Sequence, residues 1–258
     1  MKITFIGAGN VATHLADAMA KAGHDIMQIY SRTAQSAHEL ADRIGCKSIA
    51  TKPDELNCAS DLYVMAVTDN ALPQLAQQLT EGRSHALWVH TAGSIPMDVL
   101  LCERRGVFYP MQTFSKQKAV DFRSIPIFIE AHNANDAEVL RALAATLSDN
   151  VYPCSSDKRA FLHLAAVFCC NFANHCSTLS AHLLEKHGIP FDVMLPLIDE
   201  TIGKLHTMHP RDAQTGPAVR NDSHVIAKHV QMLNAEGEHH LSDIYQLMSK
   251  SIQTYDKL

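Results

Sequence analysis

The chain begins with an apolar run that ends in a glycine-rich turn, and a helical pattern follows at once. The run is Lys2–Ile6, and Gly7-x-Gly9-x-x-Ala12 comes directly after it. Gly7 permits a tight turn, Gly9 lets a pyrophosphate approach the backbone, and Ala12 lets the helix lie close to the strand. This order of strand, turn and helix predicts a dinucleotide-binding site.

The first helical turn supplies the expected phosphate contacts. Free N–H groups and the positive end of the helix dipole lie at Asn10, Val11 and Ala12, where they would hold the negative charge of the phosphates. We therefore expect Gly7, Gly9 and these three residues to bind a cofactor.

Strand-like and helix-like runs alternate from the N-terminus to about residue 153. Strands are predicted at Lys2–Ile6, Asp25–Tyr30, Lys47–Ala50, Leu62–Val67, Ala86–His90, Gly106–Tyr109, Pro126–Glu130 and Asn150–Tyr152. Helices are predicted at Asn10–Ala22, Ala34–Ile44, Asn70–Leu79 and Asp136–Leu147. Repeated βα units of this kind predict an α/β domain built on a doubly wound parallel sheet.

The pattern changes beyond Pro153, where no strand signal occurs. Helices are predicted at Ser156–His187, Phe191–His206, Asp222–Asn234 and Glu238–Lys257. We therefore expect two domains, an α/β domain over residues 1–153 and an all-α domain over residues 154–258.

The end of the second predicted strand indicates which dinucleotide binds. An NAD site needs an acidic residue there for the ribose hydroxyls, but this strand runs into Ser31-Arg32-Thr33. The Arg32 guanidinium can stack on adenine and pair with a 2′-phosphate, while Ser31 and Thr33 add hydroxyl donors. This favours NADP over NAD, although Arg32 at a strand end could also be simply solvated.

Two later loops follow strands at the edge of the sheet where the cofactor is expected. Small and hydroxyl residues in both loops would contact the ribose and nicotinamide: Val67, Thr68, His90, Thr91 and Ala92. The alternative is that both loops are ordinary turns, with helix caps at Asn70 and Ser94.

The long predicted helix carries two different faces when it is drawn at 100° per residue. One face is apolar and is predicted to be core: Phe161, Leu164, Ala165, Phe168, Phe172, Leu179 and Leu183. The other face carries His163, Asn171, Asn174 and Thr178, which suit a substrate cleft. His163 could donate the proton that accompanies hydride transfer, and the two asparagines could orient the substrate. A structural or interface role for His163 remains open.

A polar stretch with turn signals, Thr215-Gly216-Pro217, leads to Arg220. Arg220 could bind a substrate carboxylate with two hydrogen bonds. It could equally pair with Asp222 or with a partner subunit.

The composition excludes several classes of protein. The 258 residues carry a formal net charge of −5, which argues against general nucleic-acid binding. No apolar stretch approaches the length of a membrane span, and the N-terminus is a strand rather than a signal peptide. The seven cysteines contain no CxxC pair and the histidines lack zinc spacing, so we expect a cytoplasmic protein with reduced thiols and no metal.

Several stretches together resemble the NADP-dependent Rossmann-like oxidoreductases related to pyrroline-5-carboxylate reductase, ketopantoate reductase and 6-phosphogluconate dehydrogenase. The closest likeness is to a branch in which a small helical domain of unknown function follows the Rossmann domain. The matching stretches are residues 7–12, 31–33, 90–94, 109–114 and 163–171, together with Thr215-Gly216-Pro217, Arg220 and Asp222.

The resemblance implies NADP binding by the Rossmann domain and dimerisation through the helical domain. In the wider superfamily the active site lies between domains and uses a helix-borne Lys and Asn, whereas the corresponding helix here has Lys158 at its start and His163 further in. We expect an NADP-dependent oxidoreductase of a small carbonyl or imine substrate. The alternative functions are a non-catalytic sensor of the NADP redox state and a structural dimer.

Overall fold

The computed structural model describes residues 1–255. Its contacts divide the chain into two compact units, Met1–Asn171 and a second unit that begins at Phe172. The predicted helix Glu238–Lys257 therefore ends in residues that lie outside the described part of the chain.

The first unit is built on one sheet of eight strands in the order β3-β2-β1-β4-β5-β6-β7-β8. The strands are β1 Lys2–Ile6, β2 Asp25–Tyr30, β3 Ile49–Ala50, β4 Leu62–Met65, β5 Leu87–His90, β6 Arg105–Pro110, β7 Ile127–Ala131 and β8 Val151–Pro153. The order reverses direction at β1 and β4, which makes the sheet doubly wound. The predicted fold class is confirmed.

One strand pair departs from the predicted parallel arrangement. Strands β6 and β7 are antiparallel, with Phe108 opposite Ile129, whereas the other neighbours are parallel. A parallel pair needs a crossover, usually a helix, but the segment 111–126 contains only a short 3-10 turn at Phe122–Ser124. The chain therefore re-enters the sheet in the opposite direction.

Helices cover both faces of the sheet. They are α1 Asn10–Lys21, α2 Ala34–Ile44, α3 Leu72–Thr80 and α4 Ala134–Leu147. One core cluster packs α1, α2 and α4 against one face of the sheet, and a second packs α3 against the other. Strand β4 is buried along its whole length, as expected for a strand covered on both faces.

The remaining helices are α5 Ser156–Ala166, α6 Ala173–Lys186, α7 Leu195–Lys204, α8 Ser223–Ala235 and α9 His239–Tyr255. The predicted all-helical second half is thereby confirmed. The 153/154 domain boundary itself stays a prediction, since the first compact unit runs on through α5 to Asn171.

The long predicted helix differs from the expectation in two respects. A π-helical stretch, Val167–Phe172, separates α5 from α6. Because a π turn holds more residues than an α turn, a wheel drawn at 100° per residue does not apply across this stretch.

The predicted core stripe on this helix is also wrong for the single chain. Phe161 is 75% exposed and Leu164 is 52% exposed, and α6 contains no buried residue. The periodicity correctly identified an apolar face, but among the described residues this face is largely exposed.

Candidate functional site

A cavity of about 580 Å³ lies at the carboxyl ends of β1, β2 and β4. It contains six of the predicted cofactor-binding residues: Gly7, Gly9, Ser31, Arg32, Val67 and Thr68. Ligands of doubly wound sheets bind at this edge, where the strand order reverses. The fold therefore brings these six residues together in one cleft.

Gly7 lines this cleft at a point where the backbone leaves no room for a side chain. Its backbone has φ +107°, and a Cβ atom at this position would lie 2.3 Å from the carbonyl oxygen of Ala66. Its N–H donates to the carbonyl oxygen of Tyr30 at 2.7 Å. Because only glycine adopts this conformation without strain and leaves this space, the residue is required for the close approach of the β1–α1 turn to the ends of β2 and β4.

Gly9, unlike Gly7, is surrounded by open space. It is the N-cap residue of α1, makes no side-chain cap and has nothing within 4 Å of an ideal Cβ position. The start of α1 is therefore open on the side of the cavity, where backbone N–H groups favour an anion. Ala12, in the first turn of α1, is fully buried, as the fingerprint requires.

The end of β2 carries a cation rather than a carboxylate. Ser31 is fixed by a backbone hydrogen bond from its N–H to the carbonyl oxygen of Ala50, at 3.0 Å. The Thr33 hydroxyl donates to the Ser36 hydroxyl at 2.9 Å, and Ser36 lines the cavity. The exposed Arg32 is therefore presented by an ordered turn.

The remaining predicted cofactor residues do not line this cavity: Asn10, Val11, Ala12, Thr33, His90, Thr91 and Ala92. The Asn10 side chain instead donates to the carbonyl oxygen of Phe114 at 2.9 Å. Their roles in cofactor binding stay predictions.

His90 is fully buried at the end of β5. Burial, reinforced by the positive charge of Arg159, lowers its pKa to about 4. Its Nδ1 accepts a hydrogen bond from the backbone N–H of Ala92 at 3.2 Å. His90 is therefore neutral at pH 7 and holds the turn after β5 in place.

A second cluster forms within the first unit where α5 approaches the turn after β5. The Tyr109 hydroxyl lies 3.2 Å from Nδ1 of His163. A Cβ on Gly93 would lie 2.5 Å from the same nitrogen and 3.0 Å from Cζ of Tyr109. The absence of a side chain at residue 93 is therefore what admits the imidazole. Burial raises the pKa of Tyr109, so its phenol stays protonated at neutral pH.

A buried ion pair holds α5 in this position. Arg159 is 1% exposed and donates from Nη1 to Oε2 of Glu130 on β7 at 2.6 Å. Its Nη2 donates to the carbonyl oxygen of Ile95 at 2.6 Å, close to the turn that contains Gly93. One side chain thus ties α5 to the sheet and to this turn, and His163 lies one helical turn further along.

The other predicted catalytic residues are not part of this cluster. Asn171 is exposed at the end of the first unit, while Asn174 and Arg220 are exposed in the second. The Asp222 carboxylate, a predicted partner of Arg220, caps α8 by accepting from the N–H of Val225 at 3.1 Å. These three residues stay candidates whose roles rest on the sequence.

Sequence reasoning assigned no role to Gly93, Tyr109 or Lys116, although the first two lie in stretches that carry the family resemblance. The turn between Thr91 and Ser94 contains Gly93, and a glycine in a turn can indicate that another group approaches the backbone closely. No local signal identifies Lys116 as a lining residue of the cavity, because it lies 84 residues after Arg32.

Over the described ranges, no group of three or more His, Cys, Asp or Glu side chains could hold a metal ion. No helix within residues 1–255 is long and apolar enough to span a membrane.

Two family models match the chain. Residues 2–92 match the model for NADP oxidoreductase, coenzyme F420-dependent, and residues 125–252 match a domain of unknown function, DUF2520. No curated protein matches the chain.

Among solved structures, the chain is similar to a "putative NADP oxidoreductase" from Bacteroides fragilis. The two share 51% identity and a TM-score of 0.92, over 98% of this chain and 97% of that one. A protein from Thermotoga maritima has 20% identity and a TM-score of 0.72, over 99% and 100% of the two chains. An imine reductase from Myxococcus stipitatus, in complex with NADP+, has 17% identity and a TM-score of 0.72, over 100% and 94%.

The last two identities are too low to carry more than the fold. The first similarity, with the two family models, confirms the predicted relationship to NADP oxidoreductases with a C-terminal helical domain. The predicted NADP cofactor is confirmed at the level of this family.

Substitution of Gly7 should affect the stability of the protein, whereas substitution of Gly9 should affect the binding of NADPH. Gly7→Ala should lower the free energy of unfolding by about 2–4 kcal/mol, because the new Cβ meets the Ala66 carbonyl and φ is strained. Gly9→Ala should cost about 1 kcal/mol or less, because its Cβ meets open space. It should nevertheless abolish most of the rise in melting temperature that NADPH causes, since the Cβ fills the approach of the pyrophosphate. Urea unfolding and thermal melts measure both effects, and a Gly9→Ala protein with a wild-type NADPH response would contradict this assignment.

Proposed function

Because the chain belongs to the family of NADP oxidoreductases with a C-terminal DUF2520 domain, we propose that it reduces a small carbonyl or imine compound with NADPH, or catalyses the reverse oxidation. The observation that carries the proposal is the cleft at the β1–α1 turn, with a glycine-lined approach and Arg32 at the end of β2. NADPH, when bound, supplies the hydride.

The residues of the cleft fit this cofactor. Gly9 leaves room for the pyrophosphate at the open end of α1, and Gly7 keeps the turn close to β4. Arg32 and the hydroxyls of Ser31 and Ser36 form a cationic, hydrogen-bonding surface where the 2′-phosphate would lie, and the Thr33 hydroxyl donates to that of Ser36. A carboxylate in the same place would repel the phosphate, and β2 ends without one.

His163 is the residue that we propose as the proton donor. The half-buried Tyr109 hydroxyl lies within hydrogen-bonding distance of Nδ1 of His163 and orients the imidazole, so that Nε2 is the ring nitrogen left for a substrate. Reduction of a C=N or C=O bond then places the hydride on carbon and a proton from the His163 imidazolium on nitrogen or oxygen, which leaves a neutral imidazole. Asn171, Asn174 and Arg220 remain candidates for orienting the substrate.

A second copy of the chain is the partner that we propose. Helices α6, α7 and α8 contain no buried residue, and Leu197 and Leu247 in the second unit are 63% and 70% exposed. Helical units of this kind need an apolar face to be covered, and a symmetric dimer is the commonest way to do so. Cytoplasmic localisation stays a prediction.

The cofactor preference depends on Arg32. Arg32→Ala should raise the Kd for NADPH about 10- to 100-fold, since a charge-assisted pair with the 2′-phosphate is lost. The Kd for NADH should change by less than about threefold, because NADH has no such group. Isothermal titration calorimetry measures both constants, and an unchanged ratio of the two would contradict the assignment of Arg32.

Turnover depends on His163. NADPH consumption should be followed with a panel of keto acids, aldehydes and cyclic imines. With an active substrate, His163→Ala should lower kcat about 10²- to 10⁴-fold while the Kd for NADPH is unchanged. Tyr109→Phe should lower kcat less, because the imidazole keeps its place beside Gly93 but loses its Nδ1 partner.

His85→Ala is the matched control, since His85 is exposed and lies outside both clusters. Wild-type kcat in His163→Ala would contradict the proton-donor role. Tight NADPH binding without turnover of any compound in the panel would favour the redox-sensor alternative.

If the protein is a homodimer, its mass in solution is twice that of one chain. Leu247→Glu should shift the protein towards monomer in sedimentation velocity, because a charge is placed on the face that a second copy would cover. Leu101→Glu is the matched control, since Leu101 is 76% exposed in a loop of the first unit. A wild-type protein that sediments as a monomer at micromolar concentration would contradict the proposal.

A further inference from the structure

The loop between β6 and β7 is fixed to the dinucleotide half of the sheet at three consecutive residues. Side chains of α1 and α2 donate to successive carbonyl oxygens, Asn10 to Phe114 (2.9 Å), His14 to Ser115 (2.9 Å) and Arg43 to Lys116 (3.2 Å). A turn bond from the N–H of Lys118 to the carbonyl oxygen of Ser115 closes this segment. Three donors from two helices thus fix the backbone of residues 114–116, which we call the 114–116 loop.

Packing holds the same loop from the other side. The Phe114 ring stacks on His14, with ring centroids 5.4 Å apart, and on Phe122 at 5.9 Å. His14 is 3% exposed, so this contact lies in the interior. The position of the 114–116 loop therefore does not depend on the Lys116 side chain.

The consequence is that Lys116 lines the cofactor cavity from a distant part of the sequence. Arg32 and Lys116 are the charged residues among the described side chains that line it, and no carboxylate does. Ser36, whose hydroxyl accepts from Thr33, lines the same cavity. The cavity is thus lined by two cations, Arg32 and Lys116, and by the Ser36 hydroxyl.

We propose that Lys116 is a second cation for the 2′-phosphate and therefore a determinant of NADP specificity. A phosphate monoester carries close to two negative charges at neutral pH, and one guanidinium neutralises only part of them. Lys116 supplies a compact charge that adds to the planar contacts of Arg32. The inference rests on the proposed binding of NADP by this cleft.

The ion pair between Lys116 and Glu39 does not explain why the backbone of the 114–116 loop is held so firmly. The Nζ of Lys116 lies 3.7 Å from Oε2 of Glu39, and both side chains are substantially exposed. Such surface ion pairs stabilise the folded state by only about 0–1 kcal/mol. The pair with Glu39 is therefore too weak to be the reason why three hydrogen bonds hold the backbone of this loop. In the nucleotide complex Lys116 would also shield the phosphate from the Glu39 carboxylate.

The test is to measure the Kd for NADPH and for NADH by calorimetry in the wild type and three variants. Lys116→Ala should raise the Kd for NADPH about tenfold and leave the Kd for NADH within about twofold of wild type. Lys116→Arg should retain the preference for NADPH, because it keeps the cation. Lys118→Ala is the matched control, since Lys118 is exposed in the same segment but does not line the cavity.

Two fragments of the nucleotide, one with and one without the 2′-phosphate, isolate the contribution of that phosphate to binding. The affinity for 2′,5′-ADP should fall in Lys116→Ala while that for 5′-AMP is unchanged. An unchanged NADPH affinity in Lys116→Ala, or equal weakening of NADPH and NADH, would overturn the role of Lys116 without touching the proposed cofactor. A wild-type protein that binds neither dinucleotide would overturn both proposals.

Discussion

The approach of the Gly7 backbone to the Ala66 carbonyl is the constraint on which the rest of the first unit depends. A Cβ would lie 2.3 Å from that oxygen, so the β1–α1 turn meets the end of β4 only through a glycine. This contact leaves α1 with its N-terminus open at the edge of the sheet where the strand order reverses. The same cavity is therefore lined by the open Gly9 at the positive end of the α1 dipole and by the Arg32 cation at the end of β2, both of which favour an anion.

The long-range contacts of the first unit build on this turn. Helix α1, which the turn positions, also donates through Asn10 and His14 to the loop that carries Lys116. At the other end of the unit, Arg159 ties α5 to Glu130 and to the Ile95 carbonyl, and this brings His163 against Gly93 and Tyr109. Both clusters therefore combine a glycine that leaves space with a side chain held by distant elements.

Much of the fold and of the cofactor cleft follows from local patterns. The alternation of strand and helix signals, the Gly7-x-Gly9 turn and the missing acid at Ser31-Arg32 are each contained in a few neighbouring residues. The antiparallel β6–β7 pair escaped prediction because the intervening segment lacks a helix and carries no signal of its direction. The face of α5 was correctly identified as apolar, but Phe161 and Leu164 on it are exposed, because periodicity reports an apolar face and not what covers it.

By itself, the sequence determined the fold class and the glycine turn, and it placed Arg32 at the end of β2, where we propose that it meets the 2′-phosphate. These depend on interactions between residues close in the chain, where periodicity and backbone sterics suffice. Only the tertiary structure decided that Lys116 joins Arg32 at the cavity and that Tyr109 meets His163 over Gly93. Those pairs are 84 and 54 residues apart, and packing of separate elements, rather than any local pattern, brings them together.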